Sequence, residues 1–407
     1  MDTAIKKIAL IVPRYGELAA GRVPDTAYRL AHKLKAFYSV TVLTSTAKDY
    51  DSWESYYEEG ECEDDGITVI RFNTTQTRNI EKFEKHDAFR TKIGPLGGLF
   101  DKKLMLEQGP VVRGLAAFVR DHLEEFDRFV YLTYRYFPTA AVYSYTAGKS
   151  VIIPLTSGSS DENYLKRGIY KNLLKSAERI IYTDNPEKEM IESAINPPYP
   201  KASIGVTGFE IPSYAVDPEK RAELVAEFRE KYGIKEDYIL YTGQVSKERG
   251  CDDMFECFGR FREKVPDSKL KLCVIGKTDA DIALPADIGA YYPGFVSEKE
   301  RIAAIAGARF IWITADSEAD LKVFITGLML GVPGFVDQDC RRVFEEGIRS
   351  EAAYYYVYDV ECIDKLKDME TISGREYARM SVSGRFYAED HYGWDAVLTR
   401  MRNTIES

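Results

Sequence analysis

Residues 309–333, RFIWITADSEADLKVFITGLMLGVP, decide how the rest of the chain is read. Arg309 to Thr314 is a short apolar run carrying Ile311 and Ile313, the pattern of a strand covered on both faces. Ala315 to Asp320 is polar and turn-like. Leu321 to Leu330 is apolar on most sides, and Gly331 with Pro333 supplies a helix C-terminal stop. A helix that starts at the carboxyl end of a parallel strand directs free N–H groups and the positive end of its macrodipole at one spot, which favours a bound anion such as a diphosphate. The stretch predicts a strand, a turn and a helix aimed at a ligand, although an ordinary strand-turn-helix of any α/β protein has the same pattern. Gly327 falls in mid-helix, where alanine would be better by up to about 1 kcal/mol, and no functional reason for it is visible at this level.

Working outward, the same alternation recurs. Ile5 to Val12 reads as a strand, Gly16 to Pro24 as its turn, Pro24 to Ala36 as a helix and Ser39 to Thr44 as the next strand. This is the opening of a doubly wound parallel sheet with its first turn at the ligand edge. Further strands are expected at Ile67 to Phe72, Phe129 to Thr133, Ser150 to Leu155, Arg179 to Tyr182 and Ala202 to Val206. Asp49 to Asp65, DYDSWESYYEEGECEDD, reads as a solvated acidic loop or a partner-binding lid, and Thr74 to Gly109 as a mobile loop. The exit Tyr134-Arg135-Tyr136-Phe137-Pro138 either packs its rings as core or offers them to a sugar, with Arg135 donating to hydroxyls or phosphate. A small polar turn that includes Ser157 and Gly158 follows the Ser150 strand. Gly208 to Tyr214, with Pro212, marks a hinge. Beyond it, strands are expected at Tyr238 to Thr242, Lys269 to Ile275, Ile288 to Tyr292 and Gly334 to Val336, with a cationic turn from Gly243 to Gly250. Ser297-Glu298-Lys299-Glu300 is a capping box for the helix Ser297 to Ala306. The C-terminus reads as helical, ending in Asp395 to Ile405.

A chain of 407 residues exceeds what one core usually fills. The expected division is 1–214, 215–385 and a terminal segment 386–407 that packs back on the first domain. A net charge of −10 argues against a nucleic-acid partner. Met1 to Tyr214 holds 28 Lys+Arg against 29 Asp+Glu and the remainder 27 against 36, so the first half is the better candidate for an anionic partner or membrane surface. The six cysteines are scattered without a C-x-x-C pair, which predicts reduced thiols, and the four histidines show no ligand spacing with them, so no metal is expected. The opening MDTAIKKIALIVPRYG is too short in apolar residues for a signal or span, and a cytoplasmic protein is expected, with room for peripheral membrane contact.

The opening IALIVPRYGE, TAKDYDSW, FVYLTYRYFPTA, GQVSKERGCDDMF, PGFVSEKERIAAIAGARFIW and the terminal YAEDHYGW together resemble the GT-B glycosyltransferases, specifically the large retaining group-1 family that uses nucleotide-sugar donors. The resemblance runs over nearly the whole chain and implies two Rossmann-like domains facing each other across a cleft. Family members carry two glutamates eight positions apart, one on the donor sugar and one on the ribose. Alignment on Leu330-Gly331-x-Pro333 puts the first at Glu318 and the second at Thr326. The family's diphosphate grip, an Arg after the strand-end Gly and a Lys five residues on, falls here on Gln244 and Arg249, beside Gly243 and with Lys247 as a substitute cation. The Gly-Gly-x-Glu pattern appears as Gly21-Arg22-Val23-Pro24, and the position of the family's histidine lies opposite Gly158 to Ser160.

The resemblance therefore implies Glu318 and Arg249 as catalytic groups, with Gln244, Lys247, Gly243, Thr326 and the N–H groups of Ala319, Asp320 and Leu321 on the donor. Gly21, Arg22, Tyr134, Arg135, Ser157 and Gly158 would face the acceptor. No cofactor is implied beyond the nucleotide diphosphate sugar as substrate. Two lost charge-assisted contacts would weaken donor binding by about 3–6 kcal/mol. Two functions stay open: hexose transfer to a glycan or lipid-linked acceptor, or a non-catalytic homologue that partners an active glycosyltransferase or binds glycan. A periplasmic sugar-binding protein would need an export signal.

Overall fold

The structure, a computed structural model, describes residues 6–157, 161–357 and 359–407. Ile5 and Gly158, used above, lie outside the described residues. The chain forms two compact units, one gathering the residues up to Thr207 with Val397–Ser407, the other spanning Gly208–Ala396.

The first unit is built on strands β1 (Lys7–Ile11), β2 (Ser39–Ser45), β3 (Gly60–Asp64), β4 (Ile67–Phe72), β5 (Arg128–Leu132), β6 (Ser150–Ile153), β7 (Arg179–Tyr182) and β8 (Lys201–Ile204). They form one sheet in the order β3-β4-β2-β1-β5-β6-β7-β8, parallel throughout except for β3. The central strands are continuous apolar runs because helices cover both faces, and Ile8, Ala9, Leu10, Phe129, Val130 and Ile152 are fully buried. The chain reverses its direction of travel across the sheet between β1 and β5. That reversal is the topological switch point, where an open α/β sheet leaves a crevice at the carboxyl ends of its strands.

The second unit repeats the plan with β9 (Tyr238–Thr242), β10 (Lys271–Ile275), β11 (Ala290–Gly294), β12 (Phe310–Ile313), β13 (Gly334–Asp337) and β14 (Ala353–Tyr356). The order is β11-β10-β9-β12-β13-β14, all parallel, which is the Rossmann order with its switch point between β9 and β12.

Four expectations are corrected. The acidic stretch 49–65 is not a solvated loop: its second half is the edge strand β3, returned on β4 through Asp65 and Gly66 at φ +47° and +78°. An Asp-Gly pair with both φ positive is the tight hairpin turn, and the acidic side chains of β3 guard the sheet edge against further pairing. The stretch 74–109 is not a loop either, but holds helices Ile80–Lys92 and Asp101–Gln108, the first capped by the Asn79 side chain on Lys82 N–H. The C-terminal region expected to be helical contains β14. Finally, Cys257 and Cys362 are not free thiols: helices Cys251–Lys264 and Asp359–Thr371 bring their Cα atoms to 6.7 Å and a disulfide joins them. No spacing signal marks two cysteines 105 residues apart. Among the described residues no helix is long and apolar enough to cross a membrane.

The final helix, Trp394–Glu406, is held to the first unit at its end. Arg128 Nε donates to the Ile405 carbonyl at 2.8 Å, Tyr38 to Glu406 at 2.6 Å and Thr404 pairs with Ser203 at 2.8 Å.

Helix Glu318–Met329 follows β12 and lies unusually close to its sheet, and glycine makes this possible. A Cβ on Gly327 would stand 2.9 Å from Ile311 Cγ1, and one on Gly334 would stand 2.4 Å from Phe324 Cε2. Gly327 is thus explained by packing: the helix gives up propensity to seat Phe324, Ile325 and Leu328 against Ile311, Ile313 and Val336. Gly331, at φ +81°, ends the helix, with Val332 N–H on the Gly327 carbonyl at 2.8 Å. Overpacking this contact by Gly334→Ala should lower stability by about 1–3 kcal/mol in urea unfolding of the intact chain. Gly374→Ala, where a Cβ meets nothing within 4 Å, should stay within about 0.5 kcal/mol.

Candidate functional site

At the second switch point the turns after β9 and β12 meet. Gly243 N–H continues the β9 ladder to the Ile275 carbonyl at 3.0 Å, and Gly276 closes over it so tightly that a Cβ there would sit 1.7 Å from the Gly243 oxygen. Only glycine satisfies that approach, at φ +150°. The turn runs on through exposed Gln244 and Lys247 to Arg249, and Gly250 at φ +69° opens helix Cys251–Lys264. Thr314, after β12, donates its hydroxyl to the Arg249 carbonyl at 2.7 Å, which locks the two turns together.

Helix Glu318–Met329 begins there under a capping box. Ser317 Oγ accepts from Asp320 N–H at 3.3 Å, and Asp320 Oδ2 accepts from Ser317 N–H at 3.0 Å. The other carboxylate oxygen of Asp320 takes the Arg249 guanidinium at 2.5 Å, and Arg249 also donates to Ser317 Oγ at 3.2 Å. Asp320 is 4% exposed. Burial works against the charge of Arg249, but Asp320 and Tyr241 outweigh it and hold its pKa above the ordinary arginine value.

The structure brings Glu318, Arg249, Gly243, Gln244, Lys247, Ala319, Asp320 and Leu321 to one sheet edge, while reassigning several of their groups. Two of the three backbone N–H groups expected to receive a ligand are already engaged, Asp320 by the cap and Leu321 by the Ser317 carbonyl at 3.1 Å. Gln244 donates to both oxygens of Asp279 at 2.9 Å. Thr326 is turned back on its own helix, its hydroxyl donating to the Lys322 carbonyl at 2.7 Å, so its one proton is spent within the helix. Glu318 is half-buried at the first helical position.

The first switch point gathers a different set. Gly21, at φ +119°, precedes helix Arg22–Leu34, and with Arg22 it lines a pocket of about 530 Å³ under the β1 turn. Arg22 donates to the Thr156 carbonyl after β6, and Arg135 donates to Ser157 Oγ at 3.2 Å. Arg22, Arg135 and Ser157 are therefore together. Tyr134 is not with them: it is fully buried, its hydroxyl donating to Asp161, and so it is a core group and no acceptor platform. The cause is backbone geometry. Thr133 sits at φ +74°, a strained conformation for a β-branched residue, and this reverses which side chain after β5 faces inward. Leu155 after β6 is held similarly, at φ +51°. Nearby Glu187, 2% exposed, accepts from Thr156 and Thr183 N–H at 2.6 Å each, and burial raises its pKa despite those bonds.

Sequence reasoning overlooked Asp279, the capping role of Asp320 and the arginines Arg14 and Arg78. The Ser-x-x-Asp signature of the cap was present at 317–320. The arginines carried no local signal.

No protein-family model matches the chain, and no curated protein does. Solved structures are similar over its full length. Anabaena HepE in complex with UDP matches over 98% of this chain and 99% of that one, at 12% identity and a TM-score of 0.64. An α,α-trehalose-phosphate synthase (UDP-forming) from Burkholderia vietnamiensis matches over 99% and 97%, at 11% identity and a TM-score of 0.62. WaaG, a glycosyltransferase involved in lipopolysaccharide biosynthesis, matches over 98% and 99%, at 15% identity and a TM-score of 0.55. What the chain shares with these proteins is the fold, the pair of Rossmann-like units of the GT-B glycosyltransferases.

Proposed function

We propose that the chain is a glycosyltransferase of the retaining group-1 type, which moves a hexose from a nucleoside diphosphate sugar to a glycan or lipid-linked acceptor. The observation that carries this is the convergence of a helix N-terminus, the Arg249 guanidinium and Glu318 on one switch point, in a chain whose fold is that of proteins solved with UDP. Retaining transfer in such a site needs no side-chain nucleophile. Donors placed around the departing diphosphate lower the barrier by stabilising its charge, and a fixed sugar supplies orientation. Arg249, Lys247 and the Ala319 N–H are the donors in this reading, and Glu318 orients the sugar.

Donor binding is then an exchange. With no donor present, Asp320 is the anion that Arg249 holds, and an incoming diphosphate must share or displace it. Like charges at that distance repel, so affinity is set by the difference between two anions at one guanidinium.

Asp320→Asn keeps an oxygen for the cap and removes the competing charge. It should tighten UDP or GDP binding by about three- to tenfold in calorimetry while lowering stability by about 1–2 kcal/mol. Arg249→Gln should weaken the same titration by at least about tenfold. The paired change Gln244→Arg with Thr326→Glu should also tighten donor binding, and no gain from it would mean these positions do not face the nucleotide. Absence of heat with every UDP- and GDP-sugar, in both the native chain and Asp320→Asn, would leave the non-catalytic homologue as the function.

A further inference from the structure

The stretch around Trp53 does not project into solvent. Tyr56 and Tyr57 N–H both bond the Thr46 carbonyl, and Trp53, at φ +56°, is driven in until it is 1% exposed, its indole N–H on the Gln108 carbonyl at 2.8 Å. It meets Tyr50 and Tyr136 edge-to-face, with ring centroids 5.5–6.3 Å apart among the three. Three guanidinium groups surround these rings. Arg78 lies 4.4 Å over Tyr50, Arg14 lies 5.8 Å over Trp53, and Arg135 lies 6.0 Å over Tyr136. Arg14 follows β1 and Arg135 follows β5, so the cluster sits at the first switch point.

Its charge is poorly balanced. Arg90, Arg167 and Arg179 are comparably buried, and each meets a carboxylate, on Asp101, Asp87 and Glu178. Arg14 and Arg78, each 8% exposed, form no ion pair among the described residues. Arg14 donates to the carbonyls of Lys48 and Ala20, and Arg78 to the Tyr50 carbonyl and the Gln108 amide, with its Nε left without a partner among the described residues. Two carboxylates near the cluster have partners of their own. Asp161 serves Arg135 at 3.4 Å together with Tyr134, and Asp49 takes its own loop, Ser52 N–H and Oγ and Asp51 N–H. Burial lowers the pKa of Arg14, and Tyr136, Asp49, Tyr50 and Asp51 offset it only in part. Burial also raises that of the Tyr50 phenol, yet Arg78, Tyr136 and Arg135 together bring it below the ordinary tyrosine value. Keeping two guanidinium groups this deep without an anion is costly unless a ligand supplies one. The half-buried members, Tyr50 and Arg135, are where it would enter.

We propose that Arg14, Arg78 and Arg135, gathered on the rings of Tyr50, Trp53 and Tyr136, form a receptor for an anionic group, phosphate or carboxylate, carried by the sugar that accepts transfer. The guanidinium groups take the charge, and the sugar that carries it lies against the half-buried Tyr50 and Arg135. This rests on the transferase reading, but its test does not need a donor.

The intact chain is titrated by calorimetry, without nucleotide, with a hexose 6-phosphate, a hexuronate and the unmodified hexose. One or both anionic sugars should bind at least about tenfold tighter than the neutral one, and which of them binds identifies the phosphate or the carboxylate. Arg135→Gln should weaken that binding by about ten- to hundredfold. Tyr50→Phe, which keeps the ring and its packing, should weaken it by about two- to tenfold, with thermal unfolding unchanged. Equal binding of all three sugars, no binding of any, or anionic binding untouched by both substitutions would overturn the proposal. A null donor titration beside intact anionic-sugar binding would instead reject the transferase reading alone.

Discussion

One carboxylate, that of Asp320, governs the second unit's ligand edge. The first turn of any helix leaves N–H groups that must be satisfied, and helix Glu318–Met329 satisfies part of them with its own side chains. Ser317 and Asp320 close that deficit reciprocally, and the remaining oxygen of Asp320 reaches across to Arg249. Ser317 and Asp320 therefore cap a helix, join two turns and neutralise a half-buried cation. Gly327 and Gly334 are part of this arrangement, because they let the helix approach its sheet and so fix where its N-terminus points. In the transferase reading proposed above, structure and donor binding draw on one set of groups at this edge, and a donor gains only what it adds beyond Asp320.

How much of this the sequence discloses depends on whether the signal is local. The central strands were legible because burial on both faces writes them as continuous apolar runs, and the stretch 309–333 announced its strand and its helix end within one residue, while the helix starts three residues earlier than expected, at Glu318. The hairpin β3–β4 was obscured because GECED is exposed at the sheet edge and carries no apolar alternation, although Asp65-Gly66 was a turn signal in plain view. Helix Ile80–Lys92 buries only Phe83 and Arg90, too little for a periodic stripe.

Site residues divide along the same line. Spacing alone could bring Arg249 and Glu318 to one switch point, since strand order determines which turns converge. It could not tell where each side chain goes. Tyr134 and Arg135 are neighbours, and a single left-handed residue before them, Thr133, decides which becomes core. Thr326 looked like a shortened substitute for a carboxylate, and its hydroxyl instead serves its own helix. The pairing of Arg78 with rings from a different loop depends on tertiary contacts between residues 28 positions apart, for which a single sequence has no marker.

The two units share a topology and treat charge at their ligand edges in opposite ways. In the second, Arg249 is balanced by a carboxylate 2.5 Å away that also caps a helix, so this cation is neutralised at rest. In the first, Arg14 and Arg78 are held by carbonyls, an amide and aromatic faces, none of which carries a charge, so these two cations leave a local positive potential, while Arg135 is balanced by Asp161. Burial strengthens that potential, because a low-dielectric wall screens it less than water would. An anion arriving beside Arg14 and Arg78 meets no ion-paired rival there, although Asp161 already holds Arg135, whereas one arriving at Arg249 must compete with Asp320. In the transferase reading proposed above, the charge of the acceptor is then selected more strongly than that of the donor.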